Sequence, residues 1–108
     1  MRELVEGFYR AYERQDRAAL EAAMTEDFAF SSPQDDRIGR AEFFERCYPN
    51  PDLIGFDFVR VLETGDEVVV TYEFARKQGG RTRNTEVLRL RDGRIASVEC
   101  YWGWVVAD

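Results

Sequence analysis

The chain has 108 residues, 44% of them hydrophobic and 33% charged, which suits one globular domain with a single modest core. Its net charge of −6 argues against a nucleic-acid partner, because phosphate backbones attract surplus Lys and Arg. No apolar run approaches the ~20 residues that span a bilayer, so no membrane partner is expected either.

The first residues, Met1-Arg2-Glu3-Leu4-Val5-Glu6, include acidic side chains and no apolar signal core, and the expected location is cytoplasmic. Leu4, Val5, Phe8, Ala11 and Tyr12 recur at helical spacing and predict an amphipathic helix over residues 2 to 14. Asp16 suits the N-cap of a second, shorter helix over Arg17 to Met24. Phe28-Ala29-Phe30-Ser31-Ser32 alternates briefly before Pro33 and reads as a short strand, followed by a polar loop at Gln34-Asp35-Asp36-Arg37. A third helix is expected from about Arg40 to Tyr48, with Phe43, Phe44 and Cys47 on its inner stripe and Pro49 and Pro51 ending it.

The period then changes. Phe56 to Leu62 reads as a strand, and Thr64-Gly65-Asp66 turns it into a second that carries Val68, Val70, Tyr72 and Phe74 on one face. Gln78-Gly79-Gly80 turns again, Asp92-Gly93 makes a tight hairpin, and Arg94 to Trp104 is the last long strand. Helices followed by a meander make an α+β class in one domain, residues 1–108.

The strand Asn84-Thr85-Glu86-Val87-Leu88-Arg89-Leu90 carries a mismatch: Asn84 and Glu86 project to the same side as Leu88 and Leu90. A carboxylate in line with core leucines is costly unless it is paired, protonated or at the mouth of a cavity. That points to a pocket. A three-residue Gln78-Gly79-Gly80 loop would set Tyr72 opposite Glu86, whereas a two-residue loop would substitute Glu73. Arg81, Arg83, Arg89 and Arg91 read as a solvated strand face.

On the last strand Ala96, Val98, Cys100, Trp102 and Trp104 share the more apolar side, with Trp102 as a pocket wall and Trp104 at its mouth. Ile95, Val87 and Tyr101 lie on the opposite face, which is too apolar for a wet surface and points to a homodimer. Histidine is absent, and Cys47 and Cys100 lack metal-ligand spacing, so buried free thiols, no metal and no cofactor are expected.

The order of these elements resembles the nuclear transport factor 2-like superfamily, in its SnoaL-like polyketide cyclase and ketosteroid isomerase branch. The resemblance covers nearly the whole chain. It rests on Phe8-Tyr9-Arg10-Ala11-Tyr12 with Asp16 and Leu20, on Phe28-Ala29-Phe30-Ser31-Ser32-Pro33, on Ile38-Gly39-Arg40, on Asp92-Gly93-Arg94-Ile95 and on Cys100-Tyr101-Trp102. It implies a cone-shaped fold, N-terminal helices packed on a curved antiparallel sheet that encloses an apolar pocket. Ketosteroid isomerases of this kind place an Asp base where this chain has Ser32, a Tyr donor where it has Phe8, and a protonated Asp where it has Glu86. Epoxide hydrolases of the superfamily place an Arg at the position of Asn84.

The expected catalytic set is therefore Glu86 as acid/base, with Asn84 and Tyr72 orienting an oxygen. The expected ligand-binding set is Trp102, Phe8, Tyr12, Ser32, Phe44 and Cys100. Asp35 and Asp36 are rim candidates for a base. The partner is a small hydrophobic or aromatic molecule, and the chemistry is cofactor-free isomerisation, cyclisation or dehydration. A noncatalytic ligand-binding or dimerisation domain is the rival reading.

Overall fold

In the computed structural model, which describes residues 1–106, the N-terminal apolar stripe closes into helix α1 (Arg2–Glu13). Val5, Phe8, Tyr9 and Ala11 are its buried residues. Asp16 turns the chain, and its carboxylate accepts from the Ala19 N–H at 3.1 Å to cap helix α2 (Arg17–Ala23). Strand β1 (Met24–Ser32) begins where that helix ends and is longer than its alternating core alone implied. The polar loop expected at Gln34 to Arg37 is in large part a strand, β2 (Asp35–Gly39). Its Ile38 pairs with Phe30 and is buried, an apolar partner that lies just beyond the four polar residues. Helix α3 (Arg40–Arg46) stops short of Tyr48, with Cys47 as its C-cap.

Four long strands complete the chain: β3 (Leu53–Thr64), β4 (Glu67–Arg76), β5 (Arg81–Arg91) and β6 (Arg94–Val106). The strand order is β2-β1-β6-β5-β4-β3 in an open, curved sheet against the helices, so the α+β cone holds. The meander β3 to β6 is antiparallel, whereas β1 lies parallel to β6, which makes the sheet mixed. Only hairpin neighbours must run antiparallel; β1 and β6 are separated by the whole intervening chain. Among the described residues no helix is long and apolar enough to cross a membrane.

The register of the β4–β5 hairpin differs from both expectations. Tyr72 pairs with Asn84, and Val70 pairs with Glu86. The Arg76 N–H donates to Gly80 O and the Gly79 N–H to Arg76 O, so the tight loop is Lys77-Gln78-Gly79, one residue earlier than expected. Asp52 holds it there, its carbonyl accepting from Lys77 N–H and its carboxylate from both Gln78 N–H and Nε2. That contact crosses from the start of β3 and is invisible to local turn chemistry.

Two bulges on β6 reset which side chains face inward. Arg89 pairs with Ser97 but Leu90 with Ile95, which leaves Ala96 unpaired. Ile95, expected on the outer face, is therefore fully buried beside Leu90. Asn84 pairs with Trp102 but Arg83 with Trp104, so Gly103 is the second extra residue. A Cβ at Gly103 would lie 2.0 Å from Arg83 O, which only glycine avoids. Trp104 thus pairs with Arg83, whose guanidinium carbon is 5.5 Å from the indole centroid, and still borders the same cavity as Trp102.

Helix α1 is anchored to β3 by charge. Glu13 Oε2 accepts from the Phe56 N–H at 2.6 Å and from Arg10 Nη1 at 2.7 Å, and the same Arg10 nitrogen donates to Phe56 O at 2.9 Å. The clamp sets the height of α1 over the sheet, and with it the reach of Tyr9.

Candidate functional site

Glu86 stands in the middle of β5, a central strand, between Val70 of β4 and Cys100 of β6. Residues paired across a ladder share a face, and this face is the concave one. The side chain is buried at 8% exposure and never meets an arginine among the described residues. Its partners are neutral donors. The Tyr9 hydroxyl donates to Oε1 at 2.5 Å, and the Tyr72 hydroxyl donates to Oε2 at 2.9 Å. Cys100, the ladder partner of Glu86 on β6, stands beside it.

The three residues expected to act together do meet, in series. Asn84 Nδ2 approaches the Tyr72 hydroxyl oxygen at 3.4 Å, and Tyr72 donates onward to Glu86. Asn84 Oδ1 in turn accepts from the Gly103 N–H at 3.1 Å, which fixes the amide so that its NH₂ faces Tyr72. The second bulge on β6 therefore orients the network as well as bending the strand. No buried side-chain polar atom among the described residues lacks a partner.

Burial raises the proton affinity of Glu86 above that of an ordinary carboxylate, and the hydroxyls of Tyr9 and Tyr72 and the Cys100 thiol oppose it. The donors respond in kind. Tyr9 and Tyr72 are pushed well up, first by burial and then by the neighbouring Glu86 charge. Cys100 moves the same way for the same two reasons. Tyr12 is also raised by burial, and its hydroxyl donates to the Cys47 carbonyl. Burial, then the charge of Asp35, lifts the Cys47 thiol to about 11.

A cavity of about 690 Å³ opens over this network. Phe8, Tyr12, Ser32, Tyr72, Asn84, Glu86, Cys100 and Trp102 all line it. Phe44 does not. It is buried among Phe43 and Tyr48 with the Arg17 guanidinium 4.3 Å from its ring, and α3 presents Phe43, Arg46 and Cys47 to the cavity instead. Ser32 accepts the Gln34 N–H at 3.1 Å as a turn residue at the edge. Asp35 lines the wall but is neutralised by Arg46 at 2.5 Å, while Asp36 is exposed and lies outside it. Trp102 is 54% exposed, a wall at the open end. Among the described residues no three His, Cys, Asp or Glu converge as metal ligands.

Tyr9 is the site residue that sequence reasoning missed. It lies four positions after Val5 and three before Tyr12, inside the stripe that packs on the sheet, so helical spacing alone could have singled it out. Phe8, the position expected to match the family's tyrosine, is a wall beside it.

A curved open sheet that folds over helices and sets one buried carboxyl in an apolar cavity defines an α+β cone of the nuclear transport factor 2-like type. The sequence matches the SnoaL-like domain over residues 5–98, and the chain belongs to that family. It is similar to an NTF2-like protein of unknown function from Burkholderia xenovorans LB400, with a TM-score of 0.82 and 20% identity over 99% of this chain and 85% of that one. A candidate ketosteroid isomerase from Kribbella flavida DSM 17836 gives 0.81 and 23%, over 99% and 80%. A candidate polyketide cyclase from Sinorhizobium meliloti gives 0.79 and 18%, over 91% and 93%. At these identities the likeness concerns the fold alone. No curated protein matches the sequence.

Proposed function

We propose that this protein binds a compact hydrophobic or aromatic carbonyl compound and that Glu86 acts on its oxygen as an acid/base. The reaction class is isomerisation, cyclisation or dehydration, carried by the chain's own side chains. One observation carries this reading: Glu86 is a buried carboxyl on the cavity wall whose hydrogen-bond partners are the neutral hydroxyls of Tyr9 and Tyr72. A guanidinium partner would hold the group anionic. Burial against neutral donors moves its proton affinity toward the range where it exchanges protons near neutral pH. The isomerase and cyclase names of two structural neighbours agree with the reading, and the fold by itself does not supply it.

In the reaction, a neutral Glu86 donates to the ligand's carbonyl oxygen, where negative charge develops as a solvent water entering at the open end takes the proton from the adjacent carbon. Tyr9 and Tyr72 hold the carboxyl in place, and Trp102 bounds the open end. The test is hydrogen–deuterium exchange at the carbon beside the carbonyl of 2-tetralone in D₂O, followed by NMR. Wild type should speed exchange above buffer, and Glu86→Gln should lose about 10²–10⁴-fold of that acceleration. Saturable binding with no acceleration would leave a noncatalytic ligand-binding domain. That rival draws on Ser32 standing at the family's base position and on Asp35 being tied to Arg46.

The proposal includes a homodimer through the outer face of the sheet. Ile95 no longer supports it, because it is buried within the core. Tyr101 at 55% exposure and Leu62 do.

A further inference from the structure

Among the described residues, four charged side chains line the cavity: Asp35, Arg46, Arg76 and Glu86. Asp35 and Arg46 neutralise each other, and Glu86 is enclosed by hydroxyls. Arg76 has no carboxylate partner among the described residues. It is half-buried at the end of β4, and its guanidinium carbon lies 5.4 Å from the Phe74 ring centroid. Resting a guanidinium on an aromatic face fixes its plane and leaves its edge N–H groups available. In an acidic chain of net charge −6, one cation on the cavity wall thus has no carboxylate partner among the described residues.

We infer that the ligand of this cavity carries a carboxylate, held by Arg76 at the end of the pocket away from Glu86. The inference rests on the cavity being a site for compact apolar ligands and adds the group at the ligand's far end. Tyr72, whose hydroxyl touches Glu86, and Arg76 lie four residues apart on β4, about 13 Å along the strand. The guanidinium folds back over Phe74 and shortens that span, so a one- or two-ring aromatic acid bridges it. The apolar body lies between Phe74 and Trp102, and its second polar group reaches Glu86. A carboxylate suits the site better than a phosphate. Its single charge matches the one cavity cation without a carboxylate partner among the described residues, and its two oxygens match the guanidinium fork. A doubly charged head would need Arg46 as well, and Asp35 already holds it.

The experiment uses two probes of one shape, 2-naphthoate and 2-naphthamide, with binding measured by calorimetry at neutral pH and low salt. Wild type should bind the acid about tenfold or more tighter than the amide, as expected for a charge-assisted pair, and added salt should narrow the gap. Arg76→Gln should bind both probes alike, with amide affinity unchanged, while Arg76→Lys should keep part of the preference. Amide binding with no preference for the acid overturns the carboxylate and leaves the apolar site standing. A preference that survives Arg76→Gln assigns the anion to another cation and overturns the role of Arg76. If Arg76→Gln loses both probes, Arg76→Lys decides, and absence of acid preference there overturns the inference. Failure of both probes on wild type removes the apolar site together with the carboxylate.

Discussion

The Tyr9 hydroxyl and Glu86 Oε1 meet at 2.5 Å across 77 positions of sequence, and their bond joins the first helix to the middle of the sheet. It ties the balance of the site to the packing of the fold. Burial favours the neutral carboxyl, the hydroxyls favour the anion, and the distance between α1 and β5 sets how much each counts.

Tyr9→Phe should therefore do two things. Loss of a donor to the carboxyl should move the Glu86 titration further up, read from the carboxyl carbon by NMR. The lost bond should cost about 1–2 kcal/mol in urea unfolding. A titration that stays in place would mean that Tyr9 does not tune the acid.

Glu86→Gln tests the sign of the burial effect. A carboxyl whose proton affinity is higher folded than unfolded contributes its full stability below the ordinary carboxylate value of ~4.3 and loses it as pH rises through the folded value. The glutamine variant never ionises, so it should gain on wild type as pH rises above about 4.3 and be level with it or more stable at neutral pH. The measurement is the difference in unfolding free energy as a function of pH, which cancels the other carboxylates. A difference of opposite slope would mean that the anion is the favoured folded form.

Gly103→Ala should damage both strand and site. The new Cβ would meet the Arg83 backbone oxygen, which cannot rotate away, and opening the bulge would break the bond to Asn84. A loss of about 2 kcal/mol or more in unfolding free energy is expected. Unchanged stability would show that the bulge relaxes freely.

Trp102→Ala should weaken 2-naphthamide binding by about 2 kcal/mol, as for an aromatic wall, while melting stays near wild type because the ring is more than half exposed. Unaltered affinity would place the wall elsewhere.

Sedimentation should find a dimer at about tens of micromolar, held by an outer-face interface of roughly 1,200–2,000 Å² in total. Tyr101→Arg should shift it to monomer, since that face exposes the ring. A wild-type monomer at that concentration would remove the proposed interface.

Periodicity alone determined the helical start, the strand meander, the Asp16 cap and the placement of Asn84 and Glu86 on the concave face. Those features depend on residues within a few positions of one another, and side-chain alternation along a single strand needs no partner. The tertiary structure decided the rest. Asp52 set the β4–β5 register from outside the hairpin, and the unpaired Ala96 and Gly103 turned Ile95 inward and moved Trp104 beside Arg83. A bulge adds one residue to one strand, so it can be counted only against the neighbouring strand. Tyr9 could be placed on the packing stripe by helical spacing but not joined to Glu86 by it. Its role depends on the height of α1 over the sheet, which the Glu13 clamp on β3 fixes across the fold.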